Sequence, residues 1–229
     1  MGNNVPTTVP IFRSEAGVTL LGGGPFDEKD LDLSLTNAPR LVAADGGAIA
    51  SLALGLSPDA VYGDMDSLPP SAQGQIPSDL IHLIAEQDST DFEKTLRHVD
   101  APFTIAVGFT GARVDHELAV YHVLAARPDA RCVVLGASDL VCHVPGRITL
   151  DLPPGTRVSL FPMQSVTGQS DGLKWPINGL EFHPSRKIGT SNIATTGPVN
   201  LSFDGPGMLV ILPKIHLGRV VAAFAGGSI

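Results

Sequence analysis

Asp64 and Asp66 stand one residue apart in VYGDMDSLPP (residues 61–70), directly after a short apolar run. Asp45, Asp88 and Asp91 follow other runs of the same kind, and Arg113 and Asp115 follow yet another. Carboxylates gathered on one rim repel each other unless a cation lies among them. The candidate donors are all oxygens, with no His/Cys cluster beside them, so the expected cation is hard. Mg2+ fits: it takes one or two carboxylates and completes its shell with water and substrate phosphate. Asp64 and Asp66 reach one ion only if the backbone bends between them, which turns Met65 toward the core. Asp91 then supplies a third ligand, for one shared ion or two neighbouring ones. Gly22–Gly23–Gly24 is not GxGxxG, and the chain has no Walker A sequence, so a nucleotide user here is not a P-loop enzyme.

Each of these residues also has a purely structural reading. Asp64 and Asp66, just before Pro69–Pro70, have the composition of a turn. Asp88 is a candidate N-cap with Asp91 at N3, and Asp115 is a candidate cap of the helix after it. Lys94 reads equally as a solvated helix residue on the face of Asp91, and a lone His116 as a structural histidine.

The elements that must carry these groups are legible as alternation. Apolar runs at 17–21, 40–44, 59–62, 80–85, 103–108 and 131–136 predict strands, and 48–54, 89–99 and 115–126 predict helices. Such alternation describes an α/β domain with a mostly parallel sheet. In an open sheet of that kind ligands bind beyond the carboxyl ends of the strands, where the acids fall. After about residue 140 the helical patterns stop. Val199, Leu201 and Phe203 alternate with Asn200, Ser202 and Asp204, the period of a half-buried strand. The expected architecture is an α/β N-terminal domain (1–138) followed by an all-β C-terminal sandwich or barrel (139–229).

Composition narrows the function classes. The chain has 229 residues and a formal net charge of −8, which argues against sustained nucleic-acid binding. No apolar run approaches the roughly 18 residues of a membrane span. The N-terminal MGNNVPTTVP lacks the basic start and apolar stretch of a signal peptide, so the expected location is cytoplasmic. Cys132 and Cys142 make no zinc or redox spacing and are expected as buried free thiols.

Taken in order, AADGGA (43–48), GDMDS (63–67), QDSTDFEK (87–94) and GFTGARVDHELA (108–119) resemble the catalytic domain of the thiamine pyrophosphokinase family. GLKWP (172–176) and GTSN (189–192) resemble its thiamine-binding portion. The resemblance spans roughly residues 18–212. It departs at Gly111–Ala112–Arg113, where the family usually has Gly-Gly-Arg, which bears on Gly111 more than on Arg113. It implies a homodimer with sites at the subunit interface, and transfer of the diphosphate of ATP to thiamine with release of AMP. It implies roles as well. Asp64, Asp66 and Asp91 hold Mg2+, and Lys94 and Arg113 meet phosphate oxygens. Asp45, Gly46, Gly47 and Gly111 line the nucleotide site, with Gln87, Asp88 and Thr90 shaping its loop. Asp115 orients Arg113 or the thiamine hydroxyl, and Trp175, Ser191 and Asn192 receive thiamine. Two other readings stay open on sequence grounds: a diphosphokinase of similar fold acting on a pterin alcohol, and a non-catalytic nucleotide or thiamine-diphosphate sensor.

Overall fold

The computed structural model describes residues 12–226. In the first half the elements are β1 (Phe12–Arg13), β2 (Val18–Leu21), α1 (Glu28–Asn37), β3 (Arg40–Ala44), α2 (Asp45–Ala53), β4 (Ala60–Gly63), α3 (Pro70–Gln73), β5 (Ile81–Leu83), α4 (Asp91–Arg97), β6 (Val99–Asp100), β7 (Thr104–Val107), α5 (Val114–Ala126) and β8 (Cys132–Leu135). The second half contains β9 (Asp139–Val144), β10 (Arg147–Leu150), β11 (Arg157–Pro162), β12 (Val166–Asp171), β13 (Leu180–Phe182), β14 (Gly189–Ile193), β15 (Val199–Phe203), β16 (Met208–Pro213) and α6 (Leu217–Ala225).

Strands β2, β7 and β8 pair in parallel, as do β3, β4 and β5, and β2 lies beside β3. The chain therefore starts at β2, winds outward to β5, and returns to β7 on the other side of β2. The gap between those two directions is a topological switch point. β2, β4, β7 and β8 are buried along their length, as expected when helices cover both faces of a parallel sheet.

The sheet does not stop where the composition changes. β9 pairs antiparallel with β8, and β16, β11 and β14 extend the same sheet. A second sheet, in the order β10-β15-β12-β13, packs on that extension to form the sandwich. One core cluster runs between them, including Leu150, Leu160, Phe182, Leu201 and Val210. The period-2 expectation holds at β15, where Val199, Leu201 and Phe203 are buried and Asn200 and Ser202 half-buried.

Three helices escaped the sequence reading: the single turn α3, α1 and α6. α1 starts at Asp27, whose side chain accepts from the Lys29 N–H. α6 corrects the expectation that helices end near residue 140: Leu217, Val220 and Phe224 share its buried face, and it packs against β10. The short apolar repeat was present, but it follows directly on the β16 run and reads as its continuation. Both cysteines are buried and free.

Candidate active site

A cavity of about 620 Å³ opens at the switch point. Its floor is Gly23–Gly24 after β2, Ala44–Gly46 at the β3–α2 junction and Gly108–Thr110 after β7; Thr90–Phe92 at the start of α4, Arg113 just before α5 and His116 and Val120 on it form its walls. Phe92 and Phe109 meet edge to face at 5.1 Å within that wall. The cavity floor is backbone because α2 begins with no intervening loop and lies hard against β2. A Cβ on Gly47 would come within 1.9 Å of the Leu21 carbonyl oxygen, so only glycine allows this approach. Gly47 therefore supports the cavity from beneath instead of lining it.

Asp45, the first residue of α2, is buried at the cavity floor. Its carboxylate accepts from the Gly46 N–H (2.7 Å) and the Ser67 N–H (3.3 Å). A helix N-terminus favours negative charge at this position. Asp91, the first residue of α4, lines the cavity nearby. Local desolvation raises its carboxyl above the usual range, and the charges of Asp45 and Asp64 push in the same direction.

Asp64 follows β4 directly. The backbone bends after it as expected: Met65 has φ +66° and packs on the core, and the Asp66 N–H turns back to Asp64 Oδ1 at 3.2 Å. That bond is the first cause of the lowered Asp64 pKa, with Gln87 and Lys94 adding to it. The Gln87 amide donates to Asp64 Oδ2 at 3.3 Å, and Lys94 Nζ lies 3.5 Å from the same oxygen. The Lys94 side chain is only 2% exposed, which overturns its reading as a solvated helix residue. Its charge is buried under the acids and compensates them from inside the protein.

The capping expectations also change. Thr90, not Asp88, caps α4, with its hydroxyl accepting from the Glu93 N–H at 3.3 Å; Asp91 is N1, not N3. Glu86 binds Ser89 and Arg97, drawing the 86–89 segment into a turn that leaves Thr90 as the last extended residue. Asp88 and Asp66 are exposed and line no part of the cavity. Among the described residues no three His, Cys, Asp or Glu side chains stand close enough to enclose a metal ion by themselves. Asp115 does not cap α5 either, because the Arg113 backbone is the N-cap. Its carboxylate instead forms a forked pair with the Arg113 guanidinium (3.1 and 2.5 Å), which holds Asp115 down at about 2 and raises Arg113.

Sequence reasoning missed several groups here. Ser67 and Thr110 line the cavity, and Glu117 accepts from the Gly111 N–H at 3.0 Å and the Tyr121 hydroxyl at 2.8 Å. No local pattern marks Ser67 or Thr110, whose partners come from other elements; Glu117 has a local partner in Tyr121, four residues along α5, but its bond to Gly111 crosses the loop. Gly111 has φ +84°, a conformation open to glycine. Ala112, where the departure from Gly-Gly-Arg lies, is exposed at the cavity edge.

The thiamine-side candidates lie elsewhere. Trp175 is 52% exposed, lines no part of the cavity, and has Lys174 Nζ 4.7 Å from its ring centre. Asn192 is buried and holds the Trp175 backbone from both sides, accepting its N–H (3.1 Å) and donating to its carbonyl (2.6 Å). Asn192 thus secures the Trp175 loop. Ser191, at φ +64°, is exposed, and its N–H donates to the Ser159 hydroxyl at 3.0 Å.

Two family models match this chain in succession: the catalytic domain of thiamin pyrophosphokinase over residues 31–134, and the vitamin B1 binding domain of thiamin pyrophosphokinase over residues 147–207. The chain belongs to the thiamin pyrophosphokinase family. Thiamine pyrophosphokinase 2 of Oryza sativa subsp. japonica is 27% identical over 89% of this chain and 81% of its own length. Thiamine pyrophosphokinase 2 of Arabidopsis thaliana is 27% identical over 64% of this chain and 62% of its own. Among solved structures, thiamin pyrophosphokinase from Candida albicans superposes with a TM-score of 0.71 at 15% identity, covering 91% of this chain and 97% of that one. Thiamine pyrophosphokinase from Bacillus subtilis gives 0.68 at 21% identity, covering 86% and 98%. At these identities the likeness is one of fold, and it bears out the α/β-plus-β-sandwich expectation. Two thiamin pyrophosphokinase domains in order do not favour a pterin-alcohol diphosphokinase or a sensor.

Proposed function

We propose that this protein is an ATP:thiamine diphosphotransferase, and that its chemistry runs at the switch-point cavity. The observation that carries the reading is the succession of the catalytic and vitamin B1 binding matches along one chain, the first of them spanning the cavity's acids. In the reaction the thiamine hydroxyl oxygen bonds to the β-phosphorus of ATP. The bond from that phosphorus to the α–β bridging oxygen breaks, AMP leaves with the bridging oxygen, and the hydroxyl proton passes to solvent or to a nearby base. Such transfers depend on positioning and charge neutralisation.

The donor set suits Mg2+. Asp64 and Asp91 are hard oxygen ligands whose charges repel, and Mg2+ needs only one or two carboxylates beside water and phosphate. Asp64 and Asp91 would hold the ion, with Asp66 adding its charge from the same turn, and the ion would offset the charge of the diphosphate being transferred. Gln87 and Lys94 keep Asp64 ionised and fixed. Arg113 offers a planar fork to phosphate oxygens, sharing its charge with Asp115, and Lys94 adds a positive charge from below. Asp45 and Gly46 contact the nucleotide from the cavity floor and Thr90 from its wall, and Gly47, Gly111 and Asp88 shape the segments around it. Asp115 orients Arg113 and is a candidate base for the hydroxyl.

Thiamine carries a cationic thiazolium and a flat pyrimidine, both suited to the exposed face of Trp175, with Ser191 beside it. The Trp175 loop lines no part of the cavity, so we assign the acceptor site to a homodimer in which Trp175 of one copy serves the cavity of the other. We assign the chain to the cytoplasm; among the described residues no helix is long and apolar enough to cross a membrane. The division at 138/139 then separates nucleotide chemistry from acceptor binding.

The test uses ATP labelled at the β-phosphorus. Thiamine-dependent release of AMP, with label in the thiamine product, is expected. ADP with thiamine monophosphate would mean that a different bond breaks, and no thiamine-dependent AMP would refute the activity.

A further inference from the structure

The roles above leave Glu117 without a part, yet it holds the β7–α5 loop. Its Oε2 accepts from the Gly111 N–H at 3.0 Å, and its own N–H donates to the Arg113 carbonyl at 3.0 Å. The loop is thus tied on both sides of Ala112. Oε1 accepts from the Tyr121 hydroxyl at 2.8 Å, one turn further along α5. Tyr121 is half-buried against the core on that face of the sheet, so it anchors the carboxylate to a rigid wall.

The tie matters because of what the loop carries. Thr110, Ala112 and Arg113 all line the cavity. The Arg113 side chain is exposed and, among the described residues, pairs only with Asp115, two residues away, so these contacts are local to the turn. The backbone beneath it therefore sets the direction of the guanidinium. Gly111 at φ +84° gives that backbone a wide choice of conformations, and the charge-assisted bond from its N–H to Glu117 selects one. The bond from the Thr110 hydroxyl to the Leu135 carbonyl, which ties the loop to β8, is long at 3.5 Å.

We infer that Glu117 is a positioning residue that holds the β7–α5 loop so that Arg113 faces the transferring diphosphate. The inference rests on the assignment of Arg113 to phosphate made above. It predicts a dependence that a merely structural residue would not show, in which replacing Glu117 matters only while Arg113 is present.

The experiment is a double-mutant cycle on Glu117→Ala and Arg113→Ala, with Glu117→Gln and Tyr121→Phe as milder variants. Glu117→Ala should lower kcat for AMP release about tenfold, the scale of one lost charge-assisted bond, and leave the KM for thiamine unchanged. In the Arg113→Ala background the same change should cost less than about twofold. Amide hydrogen exchange at Gly111 should speed up about tenfold in Glu117→Ala and less in Glu117→Gln. Equal losses with and without Arg113 would overturn the positioning role, as would unchanged exchange at Gly111. If the wild-type protein releases no AMP, the proposed reaction fails. The same cycle read on ATP affinity by calorimetry then decides the Glu117 inference separately, with equal losses in both backgrounds overturning it.

Discussion

The rim of the parallel sheet and the Trp175 loop solve opposite problems. At the rim, Asp45, Asp64 and Asp91 are brought close enough to disturb one another, and the buried ammonium of Lys94 offsets part of that charge. At the loop the Lys174 ammonium lies 4.7 Å from the centre of an exposed ring. A single large ring is held out in solvent by backbone bonds to a buried Asn192. The first region gives up stability to keep unneutralised carboxylates poised for a cationic and phosphate-bearing ligand. The second spends a buried amide on rigidity and leaves its aromatic surface uncovered. Each region has what the other lacks, and within one chain Trp175 does not line the cavity.

The strongest way to break this contrast is to remove a carboxylate from the rim. Asp64→Ala or Asp91→Ala is expected to cut turnover by at least about 100-fold, the scale of one preorganised electrostatic contact. Asp91→Ala should keep or raise the melting temperature measured without metal, because burial first, and then the charges of Asp45 and Asp64, work against its ionised form. Turnover near wild type in both variants would move the working charge elsewhere.

At the other region, Trp175→Ala should raise the KM for thiamine about tenfold at unchanged melting temperature, since the ring is exposed and a cation–π contact is of that order. An unchanged KM would remove Trp175 from the acceptor site. Refolding an equal mixture of Trp175→Ala and Asp91→Ala chains joins the two regions in one test. If the site is shared across a two-fold interface, about a quarter of all sites regain wild-type composition. Activity equal to the mean of the parents, with exchange demonstrated, would confine the site to one chain.

Two further tests address the scaffolds. Gly47→Ala should destabilise the α/β half by roughly 1–3 kcal/mol, read as a lower denaturant midpoint, because its methyl meets the Leu21 backbone. A midpoint equal to wild type would show that α2 does not need that close approach. In the β half the dry polar group is His143. Burial holds its imidazole down at about 4, and its Nε2 accepts the Gly207 N–H at 2.8 Å. The unfolded chain takes up this proton near pH 6.5 and the folded chain only near 4. Stability is therefore full above about 6.5 and is lost as pH falls toward 4, by roughly 3 kcal/mol. Melting curves at pH 7 and pH 5 should separate for the wild type and converge in His143→Gln; equal separation in both would exclude His143 as the cause.

Strand ends were the most legible part of the molecule. Each apolar run closed by Gly or Asp, such as RLVAA before Asp45 and DAVY before Gly63–Asp64, ends within a residue or two of an observed strand. Local period and turn chemistry are written in neighbouring residues, so a reading along the chain recovers them. α4 was legible by its apolar face but not by its start, since Asp88 and Thr90 are both good caps and a turn built by Glu86 chose between them.

The sequence by itself determined the alternation of strands and helices, the placing of acids at strand ends, and the ordered motifs that mark the family. Only the tertiary structure decided which of those acids share a cavity, that Lys94 lies buried beneath Asp64, that Asn192 grips the Trp175 loop, and that one sheet continues through β8 and β9 into the sandwich. The physical reason is the reach of the interactions. The Ser67–Asp45 bond joins residues 22 apart and the Lys94–Asp64 pair residues 30 apart. Such partners meet only after the strands between them have paired, and no local propensity encodes that meeting.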